Sequence, residues 1–168
     1  IGSVGAYCAR HAEVPVALIP LDVPPAHDRL SVVVGVDGSP QSAHALRWTL
    51  DHVRRTAIVN AVRVTTAGPI VGDPLSVSAD DVEAAAGIEL EKLVATVVAE
   101  ADGHPEVELL VVSGDPREQL GTVIAGTDLL VVGARGHGVI HRLMLGSVAM
   151  ALVHHPTLPT IVVPQHAA

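Results

Sequence analysis

Residues 128–147 place the strictest condition on the fold. After Asp128, the apolar run Leu129-Leu130-Val131-Val132 passes directly into a loop punctuated by Gly133, Gly136, Gly138 and Gly146. The run is short and partly β-branched, the pattern of a strand buried on both faces. Residues 148–155 read as a short helix. Glycines between a strand end and a helix start let the backbone take positive φ and let a ligand approach the main chain closely. A helix opening at Gly146-Ser147 offers unpaired N–H groups and the positive end of its dipole, which together favour a phosphate. The loop also carries Arg135 and Arg142 and no acidic residue. It reads as an anion site suited to a nucleotide. No Gly-Lys-Ser/Thr follows, so it is not a Walker A loop; the order G-x-x-G-x-G after a late strand is not the dinucleotide fingerprint either.

The rest of the chain alternates strands with helices. Residues 30–36 form an apolar strand ending in Asp37-Gly38-Ser39-Pro40, where Ser39 can cap a helix whose first residue is Pro40. That helix is expected to residue 54, with Ala43, Leu46, Leu50 and Val53 on its buried stripe. Residues 58–64 are a second strand. Residues 65–77, with Gly68-Pro69, Gly72 and Pro74, form a long loop and are the expected mobile segment. Ser78 opens the longest helix, to residue 101, with Val82, Ala86, Leu93 and Val97 facing inward and Asp80, Asp81 and Glu83 near its positive end. Residues 107–112 are a third strand. Asp115, Pro116 and Glu118 start another helix in capping-box order, ending near Gly126. Residues 160–163 close the series. Such alternation implies right-handed crossovers and an α/β fold built on a parallel sheet of five strands, with helices on both faces. Ligands of such sheets sit beyond the strand C-termini, where strand order switches.

Composition narrows the classes. The chain has 168 residues, 49% of them hydrophobic, with no Phe and a single Trp and Tyr. One domain with a core of Val, Leu, Ile and Ala follows, which suits buried parallel strands. A net charge of −8 argues against nucleic acid and anionic membranes as general partners, and no window is apolar enough to span a bilayer. The lone Cys8 cannot make an internal disulfide, which fits a reducing cytoplasm.

The first twenty residues echo the last. Gly2-Ser3-Val4 and Gly146-Ser147-Val148, Pro15 and Pro159, and Pro20 and Pro164 all stand 144 residues apart. Residues 14–19 and 158–163 are both proline-flanked apolar strands. Residues 1–20 therefore read as the closing helix and strand of a preceding copy of the same domain, followed by a proline-stiffened linker at 21–28 and a whole copy at 29–166. No Met opens the chain, and the expectation is a piece of a longer polypeptide, the C-terminal copy of a tandem.

The spacing Gly133, two residues, Gly136, nine residues, Gly146-Ser147 resembles the ATP-binding signature of the universal stress protein family. Val34-Gly35-Val36-Asp37-Gly38-Ser39, Gly114-Asp115-Pro116 and Pro159-Thr160-Ile161-Val162-Val163-Pro164 carry the same resemblance. It implies a Rossmann-like fold with strand order 3-2-1-4-5, which would bring Asp37 and the glycine loop together across one crevice. It also implies ATP as ligand, with or without magnesium. Asp37 and Gly38 would stand at the ribose or at a metal-bound water, and the backbone of Val64 at adenine. Gly133, Arg135, Gly136, Gly146, Ser147 and the amide of Val148 would hold ribose and phosphates. One departure is Ala149, where ATP-binding members often have a hydroxyl; the missing charge-assisted hydrogen bond is worth about 1.5–3 kcal/mol and would weaken ATP relative to ADP or AMP.

Catalysis has little support, because hydrolysis needs a base or water-orienting group and the loop offers only His137 and His141. His154-His155 suit a helix C-terminus better than a metal. At most the chain is a slow ATPase. In this family the closing strands of two copies commonly pair antiparallel, which implies a homodimer or an intramolecular pseudo-dimer through residues 14–19 and 160–163. A linker of this length reaches roughly 30 Å, which leaves both routes open. Two classes follow: a cytoplasmic nucleotide-binding module of the stress response, or an interaction module that pairs strands and needs no nucleotide.

Overall fold

The computed structural model describes residues 3–23, 25–66, 78–136 and 157–164. Ten elements follow in order: α1 (Ser3–His11), β1 (Val16–Leu18), β2 (Ser31–Gly35), α2 (Pro40–His52), β3 (Ile58–Thr65), α3 (Ala79–Ala99), β4 (Glu106–Ser113), α4 (Pro116–Val123), β5 (Leu129–Gly133) and β6 (Thr160–Val163). They build one sheet in the order β1-β6-β5-β2-β3-β4. β2 pairs in parallel with β3 and β5, β3 with β4, and β5 with β6, while β1 pairs antiparallel with β6. The expected five-stranded parallel sheet is thus corrected to a six-stranded mixed one. The added strand is β1, whose backbone satisfies the outer edge of β6 from within the same chain.

The central strands are apolar because both faces are covered. Val32, Val34, Val59, Ala61, Val131 and Val163 face α2 and α3, where Ala45, Leu46, Leu50, Leu90, Val94 and Val97 meet them. On the opposite face Val33, Val62, Leu130, Val132 and Val162 pack with Leu120 and Ile124 after α4's start, with Ala9 of α1 and with Leu18 of β1. Side chains alternate between these layers along each strand, so two cores share one sheet.

Helix starts follow their caps. Ser39 Oγ accepts from the Ser42 N–H at the N-terminus of α2, with Pro40 in the first position. Ser78 does the same for Asp81 in α3, and Asp115 Oδ1 accepts from the Glu118 N–H in α4. The buried stripes are shifted from expectation. In α2 the buried residues are Ser42, Ala45, Leu46, Thr49 and Leu50, with Ala43 and Val53 at the margin. Ser42 and Thr49 are tolerated there because each hydroxyl donates to a carbonyl one turn back, Ser39 and Ala45. In α3 the stripe runs Ala86, Leu90, Val94, Val97, with Leu93 beside it and Val82 half-exposed. These four keep a steadier three-to-four spacing than the expected set.

Candidate functional site

The C-terminal ends of the parallel strands form one rim. At its centre β2 leads through Val36 into Asp37-Gly38-Ser39, and β5 ends in Gly133. Gly35 is in register with Val62, and Val36 N–H donates to the Val62 carbonyl at 2.8 Å. Asp37 follows Gly35 by two residues, and Val64 is the penultimate residue of the neighbouring β3. The expected meeting of Asp37 with the glycine loop is present. A Cβ placed on Gly136 would overlap Asp37 Oδ2 and lie 3.3 Å from its Cγ. The carboxylate therefore rests on the bare backbone of Gly136, and a residue with a side chain could not sit there without moving it. Gly133 is confined similarly, since a Cβ there would lie 3.1 Å from the Arg135 carbonyl oxygen and 3.2 Å from that of Gln41 in the first turn of α2.

The turn after β2 explains how Asp37 is aimed. Asp37 Oδ1 accepts from the Ser39 N–H at 2.9 Å, an Asx turn that fixes the side chain against its own backbone. Gly38 makes the turn possible with φ of +85°, a region costly for residues with a Cβ. Ser39 then caps α2, so one short segment ends a strand, orients a carboxylate and starts a helix. Arg135 and Gly136 are half-buried and Ala134 buried, its N–H donating to the Val163 carbonyl. The loop is thereby tied across β6 before it continues.

Other expected site residues divide cleanly. Asp37, Gly38, Gly133, Arg135 and Gly136 are brought to this rim, and Val64 stands beside it, partly buried against the lower core. Gly146, Ser147 and Val148 lie outside the described residues, as do His137, His141, Arg142, Ala149, the histidine pair 154–155 and the long loop 67–77. Among the described residues no group of three or more His, Cys, Asp or Glu could hold a metal ion, and no helix is long and apolar enough to cross a membrane.

Sequence reasoning missed a polar chain on the same rim. Ser113 Oγ donates to Glu83 Oε2 at 3.0 Å and stands 3.1 Å from Thr65 Oγ1, while the Gly114 N–H donates to the Thr65 carbonyl. Hydroxyl residues ending two consecutive apolar strands were the available signal. At the opposite rim another unforeseen cluster surrounds Asp128, whose side chain is 6% exposed. Its Oδ2 accepts from the Ser31 N–H at 2.7 Å, and its Oδ1 accepts from the His27 N–H and stands 2.8 Å from His27 Nδ1. Burial alone would raise the Asp128 pKa. The backbone N–H groups of Ser31 and His27, with the His27 ring, outweigh it and hold the carboxyl below the usual aspartate value.

The model of the universal stress protein family matches residues 29–164. Universal stress protein Rv2005c of Mycobacterium tuberculosis is 34% identical over 171 residues, an alignment covering 98% of this chain and 56% of that protein. Universal stress protein Rv1996 of the same organism is 31% identical, covering 100% and 55%. The chain thus spans about half the length of these curated relatives. Among solved structures, UspA from Lactobacillus plantarum superposes with a TM-score of 0.67 at 24% identity, covering 82% of this chain and 99% of that one. A universal stress protein in complex with cAMP gives 0.60 at 23%, covering 82% and 98%. A family protein from Arabidopsis thaliana with AMP bound gives 0.54 at 20%, covering 80% and 91%. At these identities the structures speak to fold alone.

Proposed function

The chain belongs to the universal stress protein family, and we propose that it is a cytoplasmic stress-response module that binds an adenine nucleotide, ATP above all, between β2 and β5, with little or no turnover. The observation that carries this reading is the seat of Asp37 on Gly136: a fixed carboxylate beside exposed backbone, at the strand C-termini where α/β sheets take ligands. The two neighbours whose structures hold cAMP and AMP support an adenine nucleotide. In this reading Asp37 accepts from the ribose hydroxyls or from a water on a phosphate-bound magnesium ion, a mode in which the ion needs few protein ligands. The Val64 backbone meets adenine. Gly133, Gly136, Gly146 and Ser147, with the Val148 amide, hold ribose and phosphates, and Arg135 adds positive charge. His137 and His141 are the only bases the loop brings, so binding sets the output and hydrolysis does not. The chain acts as the C-terminal copy of a tandem, with β1 serving as the closing strand of the preceding copy and pairing β6 in a pseudo-dimer.

Calorimetric titration with ATP, ADP, AMP and cAMP in the presence of magnesium tests the nucleotide reading. The expected result is saturable binding that is abolished in Gly146→Glu. Binding of none of the four overturns it. The antiparallel β1–β6 pair then favours the second reading, an interaction module independent of nucleotide.

A further inference from the structure

β4 is the edge of the sheet farthest from β1. It pairs in parallel with β3 along its whole length, Glu106 to Ser113, without a bulge. Among the described residues nothing pairs with its outer side. The Gly114 N–H donates inward to the Thr65 carbonyl. Main-chain groups alternate in direction along a strand, so those of Val107, Leu109, Val111 and Ser113 point outward.

The side chains at this edge are as open as the backbone. Leu109 is in register with Ala61 and Leu110 with Val62. Ala61 and Val62 are 0% and 1% exposed, one in each core, whereas Leu109 is 44% and Leu110 38% exposed. Each core thus runs out to β4 and stops there uncovered. α3 crosses above, where a Cβ on Gly87 would meet Val111 at 3.9 Å, and the next residue, Ile88, is 54% exposed. Sheets commonly blunt such an edge with lysine, proline or a bulge, and Glu-Val-Glu-Leu-Leu-Val-Val-Ser contains neither residue. Its charges are Glu106, engaged by Arg29, and Glu108, exposed beside Leu109. α3 carries Asp80, Asp81, Glu83, Glu89 and Glu91 against Lys92 alone. Acids so placed repel another acidic strand and attract a basic one. With a net charge of −8, a second copy of this chain is the wrong occupant.

We propose that the outer edge of β4 binds an extended segment of a partner protein, with apolar and basic residues alternating, as an added antiparallel strand. Its main chain pairs with Val107, Leu109 and Val111. Its apolar side chains lie on the face of Leu109 and Ile88. On the other face lysine or arginine stems cover Leu110 while their charged heads reach Glu108. β3 separates this edge from β2, and binding there requires no nucleotide.

Fluorescence anisotropy tests it, with a labelled peptide Lys-Val-Lys-Leu-Lys-Val-Lys titrated by the 168-residue chain. Saturable binding is expected. It should weaken at least about tenfold when both valines of the peptide become proline, which keeps the charge and removes the strand. Glutamate in place of the lysines should weaken it as much. Glu108→Lys in the protein should cost about tenfold for the lysine peptide, with the circular dichroism spectrum unchanged. Backbone and charge do the recognising, so absence of saturable binding overturns the proposal. Equal binding of the proline peptide overturns it as well, because the contact is then ionic adhesion without a strand. Binding indifferent to Glu108→Lys places the peptide elsewhere and has the same consequence. A dimer in light scattering that Leu109→Lys abolishes makes a second copy the occupant, and overturns it too. Failure of the nucleotide titration leaves each of these outcomes untouched.

Discussion

Two aspartates stand at opposite ends of the central strands, and their surroundings differ as their tasks do. Asp128 precedes β5 at the N-terminal rim, its side chain nearly buried, with Ser31 and His27 donating to it. It joins β5, β2 and the linker in one place, so its charge is consumed by the fold. Asp37 follows β2 at the C-terminal rim, half-buried, aimed by the N–H of Ser39 two residues on and laid against Gly136. A local turn positions it. The same side chain is a clamp where distant backbone donors converge on it. It is a locally positioned group where its own turn holds it and a glycine admits it against the backbone, and the nucleotide reading proposed above gives it a ligand to face.

The largest effect that tests this contrast is on stability. Asp128→Ala leaves the Ser31 and His27 N–H groups without their acceptor and should lower unfolding free energy by about 3 kcal/mol, since hydrogen bonds to a charged group are worth about 1.5–3 kcal/mol each. Urea denaturation reads it. Asp37→Ala removes a carboxylate held by the N–H of Ser39 two residues on and should cost less than Asp128→Ala. A comparable loss in both variants would erase the distinction.

Binding should rank the two residues in reverse. Asp37→Ala is expected to weaken adenine nucleotide by about 10- to 100-fold, the equivalent of one charge-assisted hydrogen bond, while Asp128→Ala leaves affinity unchanged wherever the protein is folded. A smaller loss sharpens the point. Gly136→Ala pushes the Asp37 carboxylate from its seat without altering its charge, and about tenfold weaker binding is expected. Combined with Asp37→Ala it should add almost nothing, because the two changes act on one contact. Full additivity in calorimetry would mean that Gly136 matters through something other than Asp37.

Much of the fold was legible because each element states its own rules. Ser39-Pro40 and Ser78 mark helix starts through capping chemistry, and runs such as Val32-Val33-Val34 admit only a strand covered on both faces. The six-stranded sheet was less legible. Pairing of residues 14–19 with 160–163 was expected, but a three-residue strand carries no mark of which chain supplies its partner. The meeting of Asp37 with Gly136 depended on strand order, which periodicity does not encode and the family resemblance supplied. The Asp128 clamp was invisible for another reason. Its donors are 97 and 101 residues away in sequence, and a lone Asp before a strand looks like any turn residue. The helix stripes were legible in part: Leu46, Leu50, Ala86 and Val97 are buried as expected, while Ala43, Val53 and Leu93 fall at the margin, because the choice among neighbouring apolar positions is made by the packed sheet and not by the helix.

The smallest effect, and the one that isolates charge from shape, is the acid limb of stability. The Asp128 carboxyl is held below its ordinary value in the folded state, so the unfolded chain takes up its proton first as pH falls. Its contribution is therefore complete above the unfolded value of about 3.9 and is lost as pH drops through the lower folded value. Plotted against pH, the stability gap between the parent and Asp128→Asn should be flat from neutrality to about pH 4.5 and should close below about pH 4. His27 is 61% exposed, so water and salt screen its share, and the Ser31 N–H inside the sheet carries more. Raising salt should consequently leave most of the gap intact. A gap that persists unchanged into strong acid would show that Ser31 and His27 recognise the shape of this side chain and not its charge, and Asp128 would then differ from Asp37 only in where it sits.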